Sequence, residues 1–301
     1  MENSETIPKI IFIVPYRDRE PQLNHYKHYM KYILEDIPKD DYKIYFIYQN
    51  DSKPFNRGAI KNIGFIAIKN KYPLDYKDIT LIFNDIDTMP AFKNQLNYST
   101  KSGTIKHFYG YKNTLGGIIS ITGNDFEFIN GFLNFWGWGL EDNSLYDRVL
   151  YYNINIDRSN FYNYDDIRII NLKDNNNKIY SKQQIWRASI NNKTGINTIK
   201  NLTYRFREDM IIVNNFETEV NPSNDNYYKD IAKSISNADY KFKPTDAVNN
   251  DNYLIHGGVP IINNNNNNNN NNQNNNNIFN KNIFNKNNKA INVRGLNLKL
   301  F

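Results

Sequence analysis

The apolar pattern of the first half of the chain switches repeatedly between two periods. Short apolar, β-branched runs at Lys9–Val14 (KIIFIV), Tyr42–Tyr48 (YKIYFIY) and Ile79–Phe83 (ITLIF) read as buried strands, with Pro15 closing the first. Between them the spacing lengthens to that of a helix. Over 20–37 the positions Leu23, Tyr26, Met30, Ile33, Leu34 and Ile37 form one stripe, and over 56–70 Ile60, Ile63, Ala67 and Ile68 form another. A βαβαβ series with buried strands predicts an α/β fold, a mainly parallel sheet flanked by helices, with its ligands beyond the carboxyl ends of the strands. Gly116–Thr122 (GGIISIT) reads as a further strand, with Asn124 or Asp125 capping a short helix after it. Glu141–Asn153 reads as a helix with Leu145, Val149 and Leu150 inward.

Beyond about residue 170 the pattern weakens. Residues 174–178 (DNNNK) read as a polar loop, and Ile196–Phe206 carries a strand signal. Residues 263–277 are asparagine except for Gln273, a composition that cannot bury apolar surface and predicts disorder. The expected organisation is one catalytic-type domain over 1–262, the Asn tract 263–277, and a tail 278–301.

Composition sharpens this only a little. The 301 residues are 40% hydrophobic, enough for one sizeable core. The 37 basic and 31 acidic residues leave a formal charge of +6, read as a solvated, slightly basic surface with no nucleic-acid stripe. There is no cysteine, and hence no disulfide or thiolate metal site. The start, MENSETIPKI, shows no signal peptide, and no window has the ~18 apolar residues of a membrane span. A cytoplasmic protein is expected; the Asn tract and the Tyr, Phe, Ile and Lys usage fit an AT-rich coding bias, such as that of a virus.

Four constellations carry chemistry. Asn84-Asp85-Ile86-Asp87 follows the third strand; on an extended chain Asp85 and Asp87 point to one side, where two carboxylates invite a divalent cation such as Mn²⁺ or Mg²⁺. That ion would bridge a diphosphate. Trp136-Gly137-Trp138-Gly139-Leu140-Glu141-Asp142 sets two of the three tryptophans beside two carboxylates that open a helix. The acids alone are accounted for by the helix macrodipole; the Trp-Gly-Trp-Gly run, with indole faces for sugar C–H groups, points to a sugar site. Pro15-Tyr16-Arg17-Asp18-Arg19 places two arginines at a strand end, suited to phosphate, or simply to a charged turn. Phe55-Asn56-Arg57 opens the second helix, a position that favours an anion.

Taken together, Ile11–Arg19 (IFIVPYRDR), Phe55–Phe65 (FNRGAIKNIGF), Asp85–Pro90 (DIDTMP), Gly116–Gly117, Asn130–Phe132 (NGF) and Trp136–Asp142 (WGWGLED) resemble the β-1,4-galactosyltransferase family over roughly residues 9–160, and more faintly at Gly195–Tyr204. The resemblance implies a GT-A fold, a UDP-sugar donor, Mn²⁺, a glycan or glycoprotein acceptor, and inversion at the anomeric carbon. It implies Asp142 as general base, Glu141 as its acidic neighbour, Trp138 as a tryptophan closing over substrates with Trp136 beside it, and Asp87 as metal ligand. Asp85 falls near the ribose; Pro15, Tyr16, Arg17, Arg19, Phe55 and Arg57 fall in the nucleotide pocket, and Gly117 at a backbone contact to sugar.

The departures from the family are specific. Leu140 stands where a second glycine is expected, and Asn143 and Ser144 replace further acids. The methionine and histidine that the family brings to the metal are missing from Ile169–Asp174 (IINLKD), which leaves His256 as a substitute ligand. Thr114 replaces an aromatic residue that excludes an N-acetyl group, which implies room for N-acetylgalactosamine as well as galactose. The family's disulfides and anchor have no counterpart. The alternatives are a non-catalytic sugar-binding relative, which would release no UDP, an interaction protein, which would not respond to UDP, and a nucleotidyltransferase, which would release pyrophosphate rather than UDP.

Overall fold

Alternate residues of β1 (Ile10–Tyr16) enter two separate cores. Ile11 and Ile13 pack beneath α2 (Arg57–Lys71), and Ile10, Phe12 and Val14 pack beneath α1 (Glu20–Ile33). A strand with both faces covered in this way is why its sequence is an unbroken apolar run. The computed structural model describes residues 6–172, 179–181 and 193–224, with the backbone of short paired segments at 228–229, 253–256, 259–262, 285–286 and 289–290. The loop expected at 174–178, the Asn tract 263–277 and most of the tail 278–301 lie outside the described residues.

The remaining elements are β2 (Tyr42–Gln49), β3 (Thr80–Asn84), β4 (Thr88–Pro90), β5 (Thr104–Gly110), β6 (Ile118–Thr122), α3 (Gly123–Phe128), α4 (Glu141–Tyr151), β7 (Asn155–Asp157), β8 (Tyr162–Asn163), β9 (Ile169–Asn171), β10 (Ile179–Tyr180), β11 (Lys200–Arg207) and β12 (Met210–Glu217). The main sheet runs β11-β12-β2-β1-β3-β6-β5-β7, with β8 also on β5. β12, β2, β1 and β3 are mutually parallel; β6 is antiparallel to both β3 and β5. The sheet is thus mixed and mainly parallel, with helices on its faces. The chain goes from β1 to β2 on one side and then to β3 on the other, so the crevice between β1 and β3 is a switch point of the kind that holds ligands.

Several expectations shift. Pro15 does not end β1: it pairs with Ile47, at a place where the ladder to β3 has already stopped at Ile13, so a missing N–H is tolerated. α1 stops at Ile33, before Ile37. α3 is capped by neither Asn124 nor Asp125 but by Thr122, whose hydroxyl accepts from the Asp125 N–H at 3.2 Å. Leu150 is exposed: Leu145 and Val149, four apart, define the inward face of α4, and Leu150 lies about 100° further round. A 3-10 turn at Ile196–Thr198 precedes β11.

Buried polar groups lock the ground beneath the site. Asn56 caps α2 by accepting from the Ala59 N–H at 2.9 Å, worth about 1 kcal/mol, and donates to the Asn134 carbonyl. Asn62, nearly two turns on, donates to the Phe132 carbonyl at 2.8 Å and to Asn134 Oδ1 at 2.7 Å. Arg148, almost fully buried, donates to the carbonyls of Asn130, Gly131 and Thr194. The segment 130–134 is therefore held from both α2 and α4, and it delivers the chain to Trp136.

Candidate active site

The carboxyl ends of the three central strands open onto one cavity of about 450 Å³. β1 contributes Pro15, and the turn after it Arg17, Asp18 and Arg19; the turn after β2 contributes Ser52, Lys53, Pro54 and Phe55; α2 contributes Arg57; the turn after β3 contributes Asp85, Ile86 and Asp87. Gly137, Trp138 and Ile179 close the far wall. Arg17 is fixed by donating to the carbonyls of Asp51 and Lys53, so it braces the loop after β2 as well as facing the cavity.

Asp85–Asp87 is a turn rather than an extended segment, and this changes the electrostatics. Both carboxylates line the same cavity, and each is paired with a side-chain cation. Arg57 Nη2 donates to both oxygens of Asp85 at 3.0 and 2.9 Å, and Lys61 Nζ lies 3.8 Å from the same carboxyl group. Arg19 Nη1 donates to Asp87 at 2.9 Å. Each acid has its own cation, from a different element. Burial pushes the Asp85 carboxyl up, but Arg57 and Lys61 outweigh it and hold the group below the usual carboxylate range.

Asp87 is a hard oxygen donor on the wall of a cavity with space for a diphosphate. Mg²⁺-type ions are commonly held by one or two carboxylates, with substrate phosphates and water completing the shell. Asp87 fits that role; Asp85, gripped at both oxygens, does not. Among the described residues no group of three acidic or histidine side chains is arranged to hold a metal ion. His256, the other expected ligand, ends a strand, Tyr253–His256, whose side chains lie outside the described residues.

Behind Arg57 lies a second group of acids. Glu141 and Asp142 open α4, where the helix N-terminus favours negative charge. The side chain of Glu141 is 7% exposed, with Oε1 3.3 Å from Arg57 Nε. Asp142, 22% exposed, accepts from Lys61 Nζ at 3.2 Å. Burial pushes the Asp142 carboxyl up, Lys61 pulls it down, and Glu141 pushes it up again, leaving it at about 6. A carboxyl group there is ionised at neutral pH yet close enough to it to act as a proton acceptor. Gly116 makes this possible from the other side: a Cβ there would sit 2.2 Å from Asp142 Oδ2. Leu140, the residue before α4, adopts the left-handed region (φ 68°), which costs a leucine about 1–2 kcal/mol; it is offset by burial of the side chain.

Among the expected site residues, Pro15, Arg17, Arg19, Phe55, Arg57, Asp85, Asp87 and Trp138 face the cavity. Trp138 also stacks on the Arg57 guanidinium, 4.4 Å from the ring centre. Glu141 and Asp142 adjoin the cavity through Arg57 and Lys61 rather than lining it. Trp136 does not belong with them. It is 1% exposed, stacks on Phe216 at 5.0 Å, and donates through Nε1 to Thr218 and the Val220 carbonyl, so it is a core side chain and not a sugar platform. Tyr16 is buried against Tyr48 and donates to Glu20 at 2.8 Å, off the cavity wall. Gly117 (φ 71°) accepts from the Asp85 N–H through its carbonyl, and so supports the turn after β3. Thr114 donates to the Tyr111 carbonyl at 3.2 Å in the loop before Gly116.

Lys61 went unnoticed in the sequence. The signal for it is its place four residues after Arg57: the helix face that brings one cation to Asp85 carries the other too.

The fold has close counterparts among solved structures. The catalytic domain of Drosophila β-1,4-galactosyltransferase 7 in complex with xylobiose aligns at TM-score 0.55 and 21% identity, over 72% of this chain and 97% of that one. A mutant of the same Drosophila enzyme, in complex with manganese, UDP-Gal and xylobiose, aligns at TM-score 0.56. These define a GT-A glycosyltransferase fold. In sequence, residues 2–100 match the N-terminal region of glycosyl transferase group 7, and residues 97–172 match the N-terminal domain of galactosyltransferase. Bovine β-1,4-galactosyltransferase 1 is 31% identical over 157 residues, and Caenorhabditis elegans xylosylprotein 4-β-galactosyltransferase is 32% identical over 160. The two family matches together span more than half of the chain, which belongs to the β-1,4-galactosyltransferase family. The aligned segment is 50% of this chain and spans 39% and 53% of the length of those two relatives. No described helix is long and apolar enough to cross a membrane.

Proposed function

We propose that the chain transfers a hexosyl group from a UDP-sugar to an acceptor hydroxyl of a glycan or glycoprotein, with inversion. The observation that carries this reading is the continuity of two sites: a cavity walled by Arg17, Arg19 and Arg57 is joined through Arg57 and Lys61 to a carboxylate, Asp142, poised to take a proton. In the reaction, the acceptor oxygen forms a bond to the anomeric carbon as the bond to the diphosphate oxygen breaks. The bonding pair leaves with UDP, and Asp142 takes the acceptor's hydroxyl proton. The guanidinium groups act where charge grows on the departing diphosphate, which is where stabilisation accelerates the step. A divalent ion held by Asp87 supplies further Lewis-acid charge there when bound. Trp138 and Glu141 are assigned to the sugars, Trp138 by its half-buried position on the cavity wall and Glu141 by its place beside the base.

The test is UDP release from donor, Mn²⁺ and a panel of acceptors. The chain as found should turn over with at least one acceptor, whereas Asp142→Asn should lose turnover by roughly three powers of ten and keep its donor affinity. Asp142→Asn turning over near the normal rate would refute the assignment.

For the donor, we read Thr114 as leaving room for an N-acetyl group. UDP-N-acetylgalactosamine should then be used at a rate within about tenfold of UDP-galactose, since a pocket that accommodates the extra group discriminates weakly. Rejection of the N-acetyl donor by several orders of magnitude would count against that assignment.

A further inference from the structure

Lys61 is a lysine with 2% side-chain exposure in the middle of α2, where an ammonium group needs a strong reason to be. Its Nζ lies 3.2 Å from Asp142 Oδ1, 3.8 Å from Asp85 Oδ1 and 4.6 Å from the centre of the Phe132 ring. It is therefore the group that ties the acid of the donor cavity to the acid on α4. It also fixes how Asp142 is aimed: Lys61 holds Oδ1, while Oδ2 rests against Gly116, with no space for a Cβ between them. The carboxylate has little freedom to turn.

The charges around Asp142 can be counted by element. α2 brings Arg57 and Lys61; the turn after β3 brings Asp85; α4 brings Glu141 and Asp142 itself; the loop before β6 presents only backbone, at Leu115 and Gly116. Among the described residues, two cations face three carboxylates. Without Lys61 one cation would face three, and the least well paired carboxyl group would keep its proton at neutral pH.

We propose that Lys61 is a positioning residue that keeps Asp142 ionised and aimed at the acceptor hydroxyl, and so sets the pH range in which the base can work. This rests on Asp142 being the base, as argued above. The charges around both groups act in the same sense as the contacts. Burial and Glu141 push the Asp142 carboxyl up to about 6 against the opposing pull of Lys61 and Arg57. Burial lowers the Lys61 ammonium, but Asp142 and Asp85 outweigh it and leave it above the ordinary lysine value.

The experiment is a ¹³C-carboxyl NMR titration of Asp142 in the full chain and in Lys61→Met, alongside the pH profile of UDP release. Loss of the ammonium should move the Asp142 midpoint upward by about one pH unit or more, with the acid limb of kcat/KM moving by the same amount. An Asp142 midpoint that stays put in folded Lys61→Met overturns the proposal. Should Lys61→Met fail to fold, the reciprocal variant decides the matter, because the coupling between two charges is the same seen from either side. In Asp142→Asn the Lys61 ammonium, followed by ¹⁵N NMR, should titrate about one pH unit or more lower; no change there also overturns the proposal. The two readings fail separately. A chain whose Asp142 midpoint responds to Lys61, yet which releases no UDP from any donor, refutes the transferase reading while the charge coupling stands.

Discussion

The cavity wall and the acid cluster behind it are built from the same residue types and behave differently. On the wall, Arg19 and Asp87 pair with side chains 19% and 23% exposed, where solvent screens the pair and either partner can be drawn away by a ligand. In the acid cluster that adjoins the wall at Arg57, the side chains of Arg57, Lys61 and Glu141 are 11% exposed or less, and removing either cation leaves a neighbour's charge stranded. An exchangeable ion pair is suited to greeting a diphosphate and a metal ion. A buried one is suited to holding a base at a chosen angle and protonation state. The acids of the two pairs are equally accessible, Asp87 23% and Asp142 22% exposed; it is the cation, Arg19 at 19% against Lys61 at 2%, that differs in burial.

That contrast can be broken most forcefully at Arg57. Arg57→Ala strips Asp85 of its bidentate partner and Glu141 of its neighbour, and should cost about 3–5 kcal/mol of folding stability, read by chemical denaturation. A loss below about 1 kcal/mol would mean that the cluster is solvated and the distinction false. Next comes Gly116→Ala, whose Cβ would meet Asp142 Oδ2 at 2.2 Å. Displacing the base should lower kcat about 100-fold while donor affinity, measured by calorimetry with UDP, stays near normal. Arg19→Ala touches only the wall. It should weaken UDP binding about tenfold and leave the melting temperature nearly unchanged, because a pair that solvent can still reach contributes little to folding. Arg19→Ala melting several degrees lower would move Arg19 into the structural class with Arg57.

A further test lies in pH. With Asp142 at about 6, the base is protonated and idle below that value, so kcat/KM should fall as pH drops through about 6 and level off above it. A profile flat down to pH 4 would assign the proton to some other group.

Much of the fold was legible in the chain because burial on both faces leaves a one-dimensional trace. β1, β2 and β3 are unbroken apolar runs, and α1 and α2 show one stripe each. The signals were poorer where pairing rather than composition makes the element. β5 (TIKHFYG) and the β11–β12 hairpin mix polar and aromatic residues, and owe their strand form to their neighbours in the sheet. The cavity could be foreseen from Arg17, Arg19, Asp85 and Asp87 because each follows directly on a strand end. Trp136 could not be told from Trp138 by any local feature: two residues apart in one motif, one stacks on Phe216 in the core and the other on Arg57 at the cavity.

The layered α/β fold, the strand ends that meet at the cavity, and the family could all be read from the chain, since each is written in residues close together along it. Tertiary structure alone decided which acid meets which cation: Asp85 with Arg57, Asp87 with Arg19, Asp142 with Lys61, across 28, 68 and 81 positions of chain. Charge interactions depend on distance through space and on the exclusion of water, and neither is encoded in spacing along the chain.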